Sequence, residues 1–118
     1  MILVDTSVWI DHLRVSNPRL VALLVEEQVV GHPFVIGELA CGSMKRRGEI
    51  LGLLQHLPQI AALPHRDVLV FVERRALMGR GLGWIDVHLL ASTVASDHTL
   101  WTSDKRLADA ARRLGVVA

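Results

Sequence analysis

The hydrophobic positions fall into short blocks whose period changes repeatedly along the chain. Ile2-Leu3-Val4 is a continuous apolar run of the kind found in a buried central strand, and Asp5-Thr6-Ser7-Val8-Trp9-Ile10 then supplies a cap and a helical start. Asn17-Pro18 opens a second helix whose Leu20, Leu23 and Leu24 share one face, and Gln28 to Gly31 reads as a short β-branched strand. His32-Pro33 begins a helix that carries Glu38 in its interior and ends around Cys41-Gly42, and Arg46 to Leu57 predicts an amphipathic helix closed by Pro58. Ile60 to Leu63 predicts a third strand, Asp67 to Met78 a helix, and Gly79 to Gly83 a glycine-rich turn. Asp86 to Ala95 has the alanine-rich apolar character of a helix packed deep in the protein. Thr99 to Thr102 predicts a fourth strand, Asp104 to Leu114 a last helix stopped by Gly115, and Val116-Val117 a fifth, edge strand.

Short apolar strands separated by helices predict an α/β fold with a mostly parallel sheet of four to five strands, because parallel neighbours need a crossover and these crossovers have helical periodicity. Such sheets collect ligands beyond the carboxyl ends of their strands. Asp5 and Asp104 fall just past strand ends, and Asp86 and Glu38 lie on helices able to point the same way. Four carboxylates gathered in one cleft repel one another unless a hard divalent cation sits among them, so the chemistry to expect is metal-assisted phosphodiester hydrolysis. Each acid also has a structural role open to it. Asp5 and Asp86 suit helix caps, and Ser103 can cap the last helix and leave Asp104 as a favourable first-turn acid. Glu38 stands among Val35, Ile36, Leu39 and Ala40 with no basic residue before Lys45, so a solvent-facing position is open to it, whereas an unpaired buried carboxylate there would be costly.

Composition narrows the setting. A chain of 118 residues, 51% of them hydrophobic, fits one domain over residues 1–118. Its apolar runs fall well short of the roughly 20 residues that cross a bilayer, and Met1 leads straight into a strand, so the expectation is a cytoplasmic protein without a membrane segment. The single cysteine, Cys41, excludes an internal disulfide and a cysteine-rich zinc site and reads as a small core residue. A net charge of +1 does not mark a strongly basic nucleic-acid binder. With the four singled-out acids set aside, however, only eight of the 12 acidic side chains remain against 13 basic ones, an excess able to attract phosphate. The basic clusters Lys45-Arg46-Arg47, Arg74-Arg75, Lys105-Arg106 and Arg112-Arg113 carry that excess, although basic pairs on amphipathic helices commonly form only a solvated face.

Four segments together bear a family likeness. Ile2-Leu3-Val4-Asp5-Thr6-Ser7, Val35-Ile36-Gly37-Glu38-Leu39-Ala40-Cys41-Gly42, Asp86-Val87-His88-Leu89-Leu90-Ala91-Ser92 and Leu100-Trp101-Thr102-Ser103-Asp104 resemble, in order and spacing, the four acidic motifs of PIN-domain ribonucleases. The length is similar to that of the VapC toxins of type II toxin–antitoxin modules. The resemblance implies an α/β/α sandwich, a Mg2+- or Mn2+-dependent endoribonuclease, a homodimer, and inhibition by a VapB-type antitoxin. Carried over by position, Asp5, Glu38, Asp86 and Asp104 become the catalytic, metal-binding acids, with Thr6 or Ser7 and Ser103 as the hydroxyls that orient them. Oxygen-only ligands suit magnesium or manganese. The antitoxin of the family occupies a groove beside the first helices, where Trp9, Leu13, Leu20, Leu24 and Val25 offer an apolar surface.

Some residues depart from the pattern. Trp84-Ile85 ahead of Asp86 is bulkier than the small or polar residues expected there, and Gly37 beside Glu38 costs its helix about 1 kcal/mol, which reads either as close approach of another backbone or the substrate or as mere tolerance. His88, roughly 200° round a helix from Asp86, and His12 read as polar or packing residues, and His32, His56, His65 and His98 show no ligand spacing. Trp9 and Trp101 serve either as core or as stacking platforms for bases. A phosphoacceptor domain would need paired acids after the first strand, and an aspartyl phosphatase an Asp-x-Asp opening where this chain has Ser7. The remaining alternative is a catalytically silent PIN-like module that binds RNA or a partner.

Overall fold

The computed structural model describes residues 1–118 and contains three strands and seven helices: β1 (Ile2–Val4), α1 (Thr6–Arg14), α2 (Pro18–Val25), β2 (Val29–Val30), α3 (Pro33–Cys41), α4 (Arg47–Gln55), α5 (His65–Arg74), α6 (Trp84–Ser96), β3 (Thr99–Trp101) and α7 (Lys105–Arg113). The sheet is parallel with order β2-β1-β3, so the first strand is central, as its unbroken apolar run requires. Ile2 pairs with Val29 on one side and Thr99 on the other, and Val4 pairs with Trp101.

The sheet has three strands where the sequence pattern suggests four or five. The two flanking segments each add a single parallel bridge, Gly31 to Gln59 and Leu100 to Val117. The expected strand at Ile60 to Leu63 is not formed: only the Ile60 N–H reaches the sheet, through the Gly31 carbonyl at 2.8 Å. Beyond it the chain turns toward α6, where the Ala61 carbonyl accepts the Ser92 hydroxyl at 3.3 Å. Val116 and Val117 do lie along β3, with Leu100 N–H donating to the Val116 carbonyl at 2.7 Å.

Helix starts follow local chemistry. The Asn17 side chain accepts from the Arg19 and Leu20 N–H groups ahead of Pro18, and the His32 ring accepts from the Phe34 N–H ahead of Pro33. Helix α6 begins two residues earlier than predicted, which makes Trp84 its first residue, and ends where Asp97 adopts a left-handed conformation. Its residues Val87 to Thr93 are all buried, so α6 lies in the core along with Leu3, Leu20, Leu100 and Leu107. No helix is long and apolar enough to cross a membrane.

Of three further residues, only Cys41 sits elsewhere than the sequence suggests. Cys41 is exposed at the end of α3 instead of buried. Gly37 faces open space, with nothing within 4 Å of an added Cβ, so no other backbone approaches it. His32, with no signal in its spacing, is wholly buried: its Nδ1 accepts the Phe34 N–H at 3.0 Å and its Nε2 lies 3.0 Å from the Ser92 hydroxyl. Burial, with the charge of His88 behind it, lowers its pKa to about 4. His88 packs edge-on against Phe34 and Trp84, with ring centroids 4.6 and 4.7 Å away. His12 accepts the Asn17 N–H at 2.9 Å.

Candidate active site

The register of β1 on β3 builds the first part of the site. Because Val4 pairs with Trp101, the next residues of the two strands, Asp5 and Thr102, emerge side by side at the carboxyl edge of the sheet. Asp5 N–H donates to the Trp101 carbonyl at 2.9 Å, which continues the ladder one step further. Asp5 is buried and stands at the N-cap position of α1, yet its side chain makes no capping bond. Instead its Oδ2 accepts two hydroxyls, from Ser7 at 2.8 Å and from Thr102 at 2.7 Å. Those hydroxyl oxygens in turn accept backbone N–H groups of the β3–α7 turn, Ser103 to Ser7 and Asp104 to Thr102, both at 3.0 Å. A capping role therefore does not explain Asp5; bonds of this kind to a charged acceptor contribute roughly 1.5–3 kcal/mol each and hold its orientation.

The other three acids are each fixed by one oxygen. Asp104, and not Ser103, is the N-cap of α7, its Oδ1 accepting the Leu107 N–H at 3.0 Å. Asp86, in the first turn of α6, accepts the Gly83 N–H on Oδ2 at 2.9 Å. Glu38 takes the solvent-facing position on α3, and its Oε1 accepts the Thr6 hydroxyl at 2.7 Å. The opposite oxygens, Asp5 Oδ1, Asp86 Oδ1, Asp104 Oδ2 and Glu38 Oε2, take no protein hydrogen bond.

Electrostatics ties the set together. Burial raises the Asp86 pKa above the ordinary carboxylate value; the Gly83 N–H opposes the shift, while the charges of Asp5 and Asp104 add to it. Asp5, Asp86 and Asp104 thus share one field, and Glu38 is tethered to the same edge through Thr6, the residue after Asp5. No salt bridge neutralises any of the four, since the chain's ion pairs are Arg46–Glu49 and Arg112–Asp109.

No three histidine, cysteine or carboxylate side chains already stand close enough to form a ready-made metal cage. The donor set still fits a hard cation. It offers only oxygens, each acid keeps one of them free, and an ion of the Mg2+ kind commonly retains several waters and takes one or two carboxylates directly.

The hydroxyls divide differently from the sequence expectation. Ser7 binds Asp5 and Thr6 binds Glu38, whereas the Ser103 hydroxyl lies 3.4 Å from Asp11, and only its backbone N–H joins the network. Thr102 holds the place expected of Ser103 and escaped the sequence reading, although a hydroxyl at the end of a strand beside an acidic motif is a usable signal. Of the five residues expected to form an apolar groove, Trp9 and Leu20 are core, only 6% and 0% exposed. Leu24 is half-buried, while Leu13 and Val25 are exposed. The apolar cleft beside the acids runs instead between α1, α3 and α4, with a volume of about 580 Å3, and is lined by Ile10, Leu13, Leu39, Met44 and Ile50 together with Arg14, Glu38 and Lys45. Trp101 is half-buried with the Arg19 guanidinium 4.3 Å over its ring.

Comparison with known proteins bears on the family. Residues 2–113 match the PIN domain family. The chain is 51% identical over 117 residues to "Ribonuclease VapC32" of Mycobacterium tuberculosis, in strain CDC 1551 / Oshkosh and equally in strain ATCC 25618 / H37Rv, an alignment covering 98% of this chain and 94% of each relative. The chain belongs to the PIN-domain family and, within it, to the VapC ribonucleases.

Proposed function

We propose that this protein is the toxin of a type II toxin–antitoxin module and hydrolyses RNA phosphodiester bonds with Mg2+ or Mn2+ held at Asp5, Asp86, Asp104 and Glu38. The observation that carries the reading is the state of these carboxylates: each has one oxygen fixed by its own or a neighbouring element and one left open. When bound, such an ion acidifies water and offsets the negative charge that develops on phosphate oxygens. The chain's part is orientation. Ser7 and Thr102 hold Asp5 with Oδ1 free, Gly83 does the same for Asp86, and the burial that chiefly raises the Asp86 pKa, with the charges of Asp5 and Asp104 adding to it, makes a cation the favourable occupant. Thr6 keeps the exposed Glu38 from turning away.

The same reading places the protein in the cytoplasm, acting as a single domain over residues 1–118 that forms a homodimer. It assigns the cleft of about 580 Å3 beside Glu38 to the tail of a VapB-type antitoxin, whose apolar side chains meet Ile10, Leu13 and Ile50. Val15 and Val25, 80% and 79% exposed, are apolar surface consistent with further contacts between chains.

The test is digestion of total RNA by the antitoxin-free protein with magnesium, manganese or chelator, alongside Asp5→Asn and Asp86→Asn. Discrete metal-dependent fragments lost in both variants are expected. Cleavage surviving both substitutions would sink the four-acid mechanism, and a folded protein that binds RNA without cutting it would leave a silent module.

A further inference from the structure

Three of the chain's arginines surround one small cleft. Arg80, Arg106 and Arg113 line a concavity of about 290 Å3 together with Gly79, Asp109 and Ala110. Arg106 and Arg113 are seven residues apart on α7, two turns along one face, which sets them about 10 Å apart along the helix axis. Neither makes a hydrogen bond or ion pair with the protein, and the one carboxylate in the lining, Asp109, is already held by Arg112 at 2.8 Å. Arg80 is clipped by its Nε to the Ala76 carbonyl at 2.9 Å, which leaves its terminal nitrogens free. Like charges brought together around one concavity repel, and Asp109, shared with Arg112, is the one carboxylate in the lining, so the cleft keeps an excess of positive charge.

Position gives the cleft its meaning. The Arg106 side chain lies against Gly81, where an added Cβ would meet its Nη1 at 2.7 Å, and Gly81 holds φ +75°, so this close approach is one that glycine permits. Gly81 is two residues from Gly83, whose N–H holds Asp86, and therefore lies within about 7 Å of it along the chain. Arg106 is two residues past Asp104. The 79–83 turn, which frames one side of the arginine cleft, thus runs into the start of α6 and holds Asp86 through Gly83, and α7, which frames the other, begins at its N-cap Asp104.

We propose that the Arg80–Arg106–Arg113 cleft binds backbone phosphates of single-stranded RNA next to the scissile bond, a phosphate track running from the acids along α7. The inference rests on the ribonuclease reading and adds to it a binding site for the substrate. Guanidinium groups with free N–H forks suit phosphodiester oxygens, and contacts of this kind position a strand without reading its sequence.

The experiment measures binding of a short fluorescein-labelled single-stranded RNA to the full-length Asp5→Asn protein in chelator, over a range of salt, with Arg106→Gln or Arg113→Gln added. Each substitution is expected to weaken binding several-fold, equally for unrelated sequences, and to lower the steepness of log affinity against log salt by about 0.7. Arg113→Lys should restore the slope. Arg46→Ala, whose arginine is already paired with Glu49, should leave it unchanged. Because the Arg113 side chain makes no hydrogen bond or ion pair in the fold, its variants remain informative even if Arg106→Gln disturbs the glycine turn. Unchanged slopes in both glutamine variants, while the wild-type protein cleaves RNA, overturn the arginine cleft and leave the nuclease standing. Neither binding nor cleavage by the wild type overturns both.

Discussion

The acid cluster and the buried His32 site use polar groups in opposite ways. His32 is 0% exposed and has both ring nitrogens engaged, one by the Phe34 N–H and one by the Ser92 hydroxyl. The carboxylates of Asp5, Asp86, Asp104 and Glu38 each have one oxygen fixed and one without a partner. A polar group whose whole hydrogen-bonding capacity is used inside the protein is part of the scaffold. A group held firmly but only half used is prepared for something outside it, and its repulsion with its neighbours persists until that arrives.

Substitutions should separate the two regions cleanly. Asp5→Asn keeps the shape and still accepts from Ser7 and Thr102, so the protein should melt normally and yet lose about a thousandfold in RNA cleavage, roughly 4 kcal/mol of barrier, measured by single-turnover kinetics. His32→Ala should do the reverse. It leaves a cavity, a buried Ser92 hydroxyl and an open helix start at Phe34, and should cost about 3 kcal/mol in urea denaturation with cleavage per folded molecule retained.

Acid should act on the scaffold through the same histidine. With its pKa lowered from 6.5 to about 4, the folded protein refuses a proton that the unfolded chain accepts. The stabilisation is therefore complete above pH 6.5 and is lost as pH falls toward 4, by about 3 kcal/mol in all. Melting curves across that window should slope steeply in the wild type and more shallowly in His32→Gln.

Smaller effects sharpen the boundary. Thr102→Val removes one donor from Asp5 and the acceptor for the Asp104 N–H, and should reduce cleavage about tenfold while Ser7 still holds the carboxylate. Asp86→Asn should raise the melting temperature of the metal-free protein slightly at neutral pH. A carboxyl whose folded pKa is raised contributes stability only while protonated and loses it as pH rises through that pKa, so the gain should vanish in acid. A lower melting temperature for Asp86→Asn at neutral pH would show that neither burial of the charged carboxylate nor repulsion from Asp5 and Asp104 governs this site.

Much of this site was legible along the chain, because a strand followed by an acid is a local pattern. The run Ile2-Leu3-Val4 dictates a buried strand, and its end delivers Asp5 to the carboxyl edge of the sheet whatever the neighbours are. Exposure was less legible. Leu20 reads as groove and lies in the core, whereas Cys41 reads as core and, on one helix with the buried Val35 and Leu39, faces outward. An amphipathic pattern says that a helix has two faces, but only packing decides how far its buried arc extends.

The sequence by itself determined the alternation of strands and helices, the parallel character of the sheet and the four acids in order, since each of these follows from periodicity or from residues adjacent in the chain. Only the tertiary structure decided which hydroxyl holds Asp5, that Arg106 rests on Gly81, and that the outer strands shrink to single bridges. Thr102 reaches Asp5 across 97 positions because Val4 pairs with Trp101 and not with a neighbour of it, and a register shift of one residue would turn every side chain of that strand to the other face. Register and helix contact are properties of elements packed against one another, and no local pattern carries them.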